Sequence, residues 1–183
     1  MATASEVFGG IDALVNNAGC ERQADIEHLS DDDLDQMLRV NFIAAFHCIR
    51  AALPALRETA GMVINIGSTV VTRPPRGRFG YVATKGALEA MSRALAVDLG
   101  SDGVRVNVIR PGLIPSELRG RSERSERAML ADGGAFEQQA LVTAGEGSDI
   151  AAAIEWLIGP GGRWVTGAVL DVDGGYSLGL TNR

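Results

Sequence analysis

Cysteine is scarce in this chain, and neither Cys20 nor Cys48 belongs to a Cys-x-x-Cys pair. That count excludes a disulfide framework and fits a reducing compartment, the cytoplasm. Histidine is equally scarce: His28 and His47 stand in no metal-ligand spacing, and no Cys/His/Asp cluster points to zinc. Positive charge is in deficit, with a net charge of −6, which argues against a nucleic-acid partner. No apolar run is long enough to span a bilayer. The first ten residues lack the basic region and apolar core of a secretory signal. One further absence matters most: no glycine-rich turn precedes the Asn-Asn-Ala-Gly run at 16–19, which begins almost at the N-terminus.

What is present is a chain of 183 residues rich in Ala, Val, Leu, Ile and Gly, enough for one domain with a full core. Short apolar runs alternate with longer helical patterns. Residues 13–16, 62–66, 104–109 and 168–172 read as buried strands. Ser30 followed by Asp31, Asp32 and Asp33 reads as a capped helix start. The helix it opens carries Leu34, Met37, Leu38, Asn41, Ala45, Cys48, Ile49 and Ala52 on one stripe, with Pro54 expected to kink or close it. Residues 81–99 form a second long helix stopped by Gly100, and Ser148 is expected to cap a third that runs to Ile158. The charged stretch 115–140 reads as a mobile helical flap over the domain. Such alternation predicts an α/β fold with a parallel sheet covered on both faces.

In a parallel sheet, ligands gather beyond the carboxyl ends of the strands. Three strand ends here carry unusual groups: Asn16 to Gly19, Gly67-Ser68-Thr69 and Arg110-Pro111-Gly112. Tyr81 and Lys85 lie four apart, so one helical face carries a phenol beside an ammonium. A free phenol titrates near ~10, and a cation within about 4–6 Å favours its ionised form. The plain alternative is a surface Tyr and Lys, a spacing common by chance. Ser68 would hydrogen-bond a substrate oxygen, or simply close a turn. Asn41 interrupts an apolar stripe, where an unpaired amide costs about 1–3 kcal/mol. It therefore needs partners, through either a water-linked path to Lys85 or a helix–helix hydrogen bond. Ala18 and Gly19 would let backbone approach a ligand ribose. Arg73, Arg76 and Arg78 could grip an anionic substrate or carrier, against the default of a solvated loop.

Taken in order, Asn-Asn-Ala-Gly (16–19), Asn41, Ile-Asn-Ile-Gly-Ser (64–68), Tyr81-x-x-x-Lys85, Arg-Pro-Gly (110–112) and Thr-Gly-Ala-Val-Leu-Asp-Val-Asp-Gly-Gly (166–175) form a specific series. The chain resembles the short-chain dehydrogenase/reductase family over residues 8–175. The resemblance implies a Rossmann-like doubly wound parallel sheet, NAD or NADP as cofactor, and interconversion of a small-molecule alcohol and carbonyl. It implies that Tyr81 exchanges the proton and that Lys85 binds the nicotinamide ribose and lowers the Tyr81 pKa. Ser68 would orient the carbonyl and Asn41 would hold a relay water. Asn16, Ala18, Gly19, Pro111, Gly112, Ile114 and Ser116 join Tyr81 and Lys85 along the cofactor, with Ser116 standing where the family often has Thr. The 115–140 stretch matches the family's substrate flap, and a homo-oligomer is expected.

Family members place a strand, a glycine-rich turn and two βα units before Asn-Asn-Ala-Gly. The expectation is therefore a domain lacking its first βαβαβ portion, with the phosphate turn and the residue choosing NAD over NADP both missing. The 13–16 strand would become an exposed edge. A second reading is a catalytically inactive truncated paralogue that associates with full-length subunits.

Overall fold

The computed structural model describes residues 2–118, 122–132 and 134–179; part of the 115–140 stretch, 119–121 and 133, lies outside the described residues. Helix α1 (Ala2–Phe8) leads into strand β1 (Ala13–Asn16). Helix α2 (Asp31–Leu38) follows, capped by Ser30, whose Oγ accepts from the Asp33 amide at 3.1 Å. It passes through a π-helical turn, Arg39–Ile43, directly into α3 (Ala44–Thr59). Strand β2 (Met62–Ile66), helix α4 (Phe79–Asp98) and strand β3 (Arg105–Pro111) come next. Helices α5 (Glu123–Asp132) and α6 (Gly147–Ile158) precede the last strand, β4 (Val169–Val172).

The four strands pair in parallel in the order β1-β2-β3-β4. This is the Rossmann-like α/β sheet that the strand–helix alternation implies. Strand β2 is buried at every residue and β3 at all but its ends, whereas β1 and β4 are partly exposed edges. Period-2 alternation sends Val63 and Val106 to one face, against Ile49, Ala52 and Leu56 of α3 and Ala96 of α4. Met62, Ile64, Ile66 and Ile109 face the other side, against Ile150 and Leu157 of α6. Helices thus cover both faces of the sheet.

Two local expectations are corrected and a third is narrowed. Of the kink or closure expected at Pro54, closure does not occur: α3 runs on to Thr59, because Ala52 and Leu56 remain buried on the sheet and repay the backbone bond that proline removes. The α6 cap is Glu146 rather than Ser148. Glu146 and Asp149 exchange side-chain bonds with each other's backbone in a capping box, so the carboxylates satisfy the first-turn amides. Helix α4 starts at Phe79, two residues before Tyr81, which seats the phenol inside the first turn and not at its cap.

Candidate active site

A cavity of about 810 Å³ opens beyond the carboxyl ends of β1, β2 and β3. Its walls bring together Ala18, Gly19, Ser68, Tyr81, Lys85, Pro111, Gly112, Ile114 and Ser116. Asn16 and Asn41 stand behind the wall. Asn16 Nδ2 donates to Asn65 Oδ1 at 2.7 Å, tying β1 to β2 at a directly paired position. Asn65 in turn donates to Ser92 Oγ of α4 at 2.8 Å. A polar chain buried in the sheet therefore holds α4, and with it Tyr81 and Lys85, at a fixed height over β2.

Tyr81 and Lys85 are both buried. Lys85 Nζ donates to the Ile66 carbonyl at 2.7 Å and lies 5.8 Å from the Tyr81 ring centre. Burial pushes its pKa down from 10.5 to about 8, with the neighbouring Cys20 thiol acting weakly the other way. Ser68 caps the 3-10 turn Thr69–Val71, its Oγ accepting from the Val70 amide at 3.3 Å, which leaves its own proton for an acceptor in the cavity.

Asn41 occupies the π-helical turn and has found its partners. Its Oδ1 accepts from the Cys20 amide at 2.8 Å, while Nδ2 donates to the Cys20 carbonyl at 2.9 Å and to Thr84 Oγ1 at 3.0 Å. The helix–helix bond anticipated for this residue is the one to Thr84. The paired bonds to Cys20 fix the loop that follows β1. A Cβ on Gly19 would stand 3.3 Å from Asn41 Oδ1 and 3.7 Å from Lys85 Nζ, so glycine keeps open the space between these two groups. Gly112 is required by a closer approach: a Cβ there would lie 2.6 Å from the Asp173 Cα.

Beyond Tyr81 the cavity continues between Val70, Pro75, Arg78, Leu118, Glu126, Leu130 and Tyr176. The loop arginines are not the open grip on an anion that their clustering allows. Arg73 donates to the Tyr176 carbonyl at 2.9 Å and to the Gln138 carbonyl at 3.2 Å, with its guanidinium stacked 4.2 Å over the Tyr176 ring. Arg78 makes a bidentate ion pair with Glu21, whose side chain is fully buried. Of the three, Arg76 is exposed to solvent.

Glu21, Thr84 and Tyr176 are site residues that the motif reading missed. Thr84 carried a signal, a hydroxyl three residues after Tyr81 on the buried face of the helix. Glu21 and Tyr176 carried none, because their partners are distant in sequence. Among the described residues no group of His, Cys, Asp and Glu is arranged to hold a metal, and no helix is long and apolar enough to cross a membrane.

A parallel Rossmann-like sheet with this Tyr–Lys helix over its β2 and β3 ends defines the class. A family model described as enoyl-(acyl carrier protein) reductase matches residues 1–177. The chain belongs to the short-chain dehydrogenase/reductase family, a family of oxidoreductases. It is 32% identical over 173 residues to the 3-oxoacyl-[acyl-carrier-protein] reductase FabG of Staphylococcus aureus, covering 93% of this chain and 68% of that protein. A short-chain dehydrogenase from Burkholderia cenocepacia solved in complex with NADP superposes with a TM-score of 0.85 at 34% identity, over 96% of this chain and 69% of the other. A 4-hydroxyisoleucine dehydrogenase complexed with NADH gives a TM-score of 0.81 at 31% identity, over 98% and 75%.

Proposed function

We propose that this chain interconverts an alcohol and a carbonyl with NAD or NADP, using Tyr81, Lys85, Ser68 and Asn41. The single observation that carries the reading is the burial of Lys85 beside Tyr81 at the cavity wall, with one ammonium proton spent on Ile66 and the others available. Two solved relatives hold NADP and NADH.

The donor set fits the nicotinamide–ribose half of such a nucleotide. Lys85 can donate to a ribose diol, Ala18 and Gly19 would leave backbone close to it, and Pro111, Gly112, Ile114 and Ser116 line the cavity where the ring would lie. Asn16 contributes by fixing the strand end from which this wall departs. When bound, the nicotinamide supplies or accepts hydride.

The chain's own part is proton handling. Ser68 Oγ donates to the substrate oxygen and holds it at the Tyr81 hydroxyl. In carbonyl reduction the Tyr81 hydroxyl gives its proton to that oxygen as negative charge develops there; in alcohol oxidation the phenolate takes it back. The charged form of Lys85 stabilises the phenolate across the turn. Asn41 Oδ1 keeps a second lone pair, and the gap at Gly19 lets a water join it to Lys85, giving Tyr81 a route for proton return. Glu117, Leu118, Glu126 and Leu130 line the substrate end and would serve as the inner face of a flap.

The test is turnover of a panel of secondary alcohols and ketones with each nucleotide, by the parent chain and by Tyr81→Phe. Loss of general acid–base help predicts a fall of at least ~10²-fold in kcat with the far-ultraviolet spectrum unchanged. Unchanged turnover in the variant overturns the mechanism.

A further inference from the structure

Resting on that reading of the cavity, we infer that Arg78 is a specificity-determining residue that selects substrates carrying a second hydroxyl near the reacting carbon. Arg78 lines the cavity, and its guanidinium carbon lies 5.5 Å from the centre of the Tyr81 ring. A substrate held at Tyr81 therefore passes close to the guanidinium, whose protons can reach a hydroxyl on it across about 2.9 Å.

The arrangement is built. Nε and Nη2 of Arg78 both go to the Glu21 carboxylate, Nη2 at 2.6 Å, and the Glu21 side chain has no solvent exposure. Burying an ion pair is costly and adds little stability over apolar packing of the same volume. Here it sits at the wall of the cavity, next to the proposed proton donor, and it fixes the guanidinium in one orientation. The fork to Glu21 leaves the two protons of Nη1 for a ligand.

A hydroxyl oxygen on the substrate can accept from Nη1. A site built around a donor that a ligand leaves unused discriminates against that ligand, because the donor then stays buried and unpaired.

The experiment is equilibrium binding of hexane-2,3-diol and of 2-hexanol, measured by calorimetry with nucleotide present. The proteins are the parent chain, Arg78→Lys and the paired variant Glu21→Leu/Arg78→Met, which removes both charges together and leaves no buried ion alone. The inference expects the parent chain to favour the diol by about tenfold, Arg78→Lys to keep part of that preference, and the paired variant to lose it while 2-hexanol binds as before. Equal binding of the two alcohols by the parent chain, or a preference kept by the paired variant, overturns it. Binding is read independently of turnover. A diol preference in a chain without turnover therefore upholds this inference while sinking the catalytic reading, and turnover without a preference does the reverse.

Discussion

Along the α4 wall of the cavity, the polar side chains are knitted into the protein: Lys85 to the Ile66 carbonyl, Thr84 to Asn41, Asn41 to both backbone groups of Cys20, and Ser92 to Asn65. Along the β1 wall the picture reverses. Strand β1 is a sheet edge, Val15, Asn17 and Ala18 are exposed, and Val7 and Phe8 of α1 project their side chains into solvent nearby. The difference separates two jobs. In the proposed mechanism, proton handling falls to groups that are buried and held in place. Nucleotide binding draws on a wall that ends at an open edge, so affinity, and not geometry at Tyr81, is where the chain is least provided for.

The largest effect that could break this contrast, after the loss of turnover expected for Tyr81→Phe, concerns Lys85. Its proton leaves near pH 8 in the folded chain and near 10.5 in the unfolded one. Between those values the unfolded state holds more protons, so stability rises with pH across that window, by up to roughly 3 kcal/mol, and the penalty is present in full below pH 8. Denaturant midpoints at pH 7, 8.5 and 10 in the parent chain and in Lys85→Met should differ by this slope. Parallel pH profiles would mean that Lys85 is not desolvated in the wall.

Gly19→Ala is a finer probe, since its backbone accepts alanine and the new Cβ fills the gap between Asn41 and Lys85, touching Leu118 as well. Turnover is expected to fall about tenfold, with nucleotide affinity changed far less, because a displaced bridging water costs proton return more than binding. An equal loss in both would place Gly19 in binding alone. The smallest effect belongs to the edge. Val15→Lys should change stability by less than about 0.5 kcal/mol. It should also lower the average mass in light scattering if the β1 edge pairs between chains. An unchanged mass at high concentration would show that the edge is not used for association.

How far the residues foretold this molecule differs along the chain. Strands β2 and β3 were legible because central parallel strands are apolar on both faces, as in Met62–Ile66. The Tyr81–Lys85 pairing was legible because helix spacing alone places the two side chains on one face. Pro54 does not end its helix, because tertiary burial of its neighbours outweighs the lost backbone bond. The π-helical turn was missed, although the sequence held a trace of it. Met37, Asn41, Ala45 and Ile49 recur at strict intervals of four, and all are buried. Three such steps outrun three turns of α-helix by about one residue, which is the amount a π turn inserts. The Glu21–Arg78 pair was illegible, since nothing local in Cys-Glu-Arg or Gly-Arg-Phe announces a partner 57 positions away.

Isothermal titration of the purified chain with NADH and with NADPH, repeated on Lys85→Met, tests the central claim most directly. The account predicts micromolar binding of at least one nucleotide, weakened about tenfold or more when the ammonium is removed. A folded, monodisperse sample that binds neither nucleotide, or a Lys85→Met variant that binds as well as the parent, would contradict it.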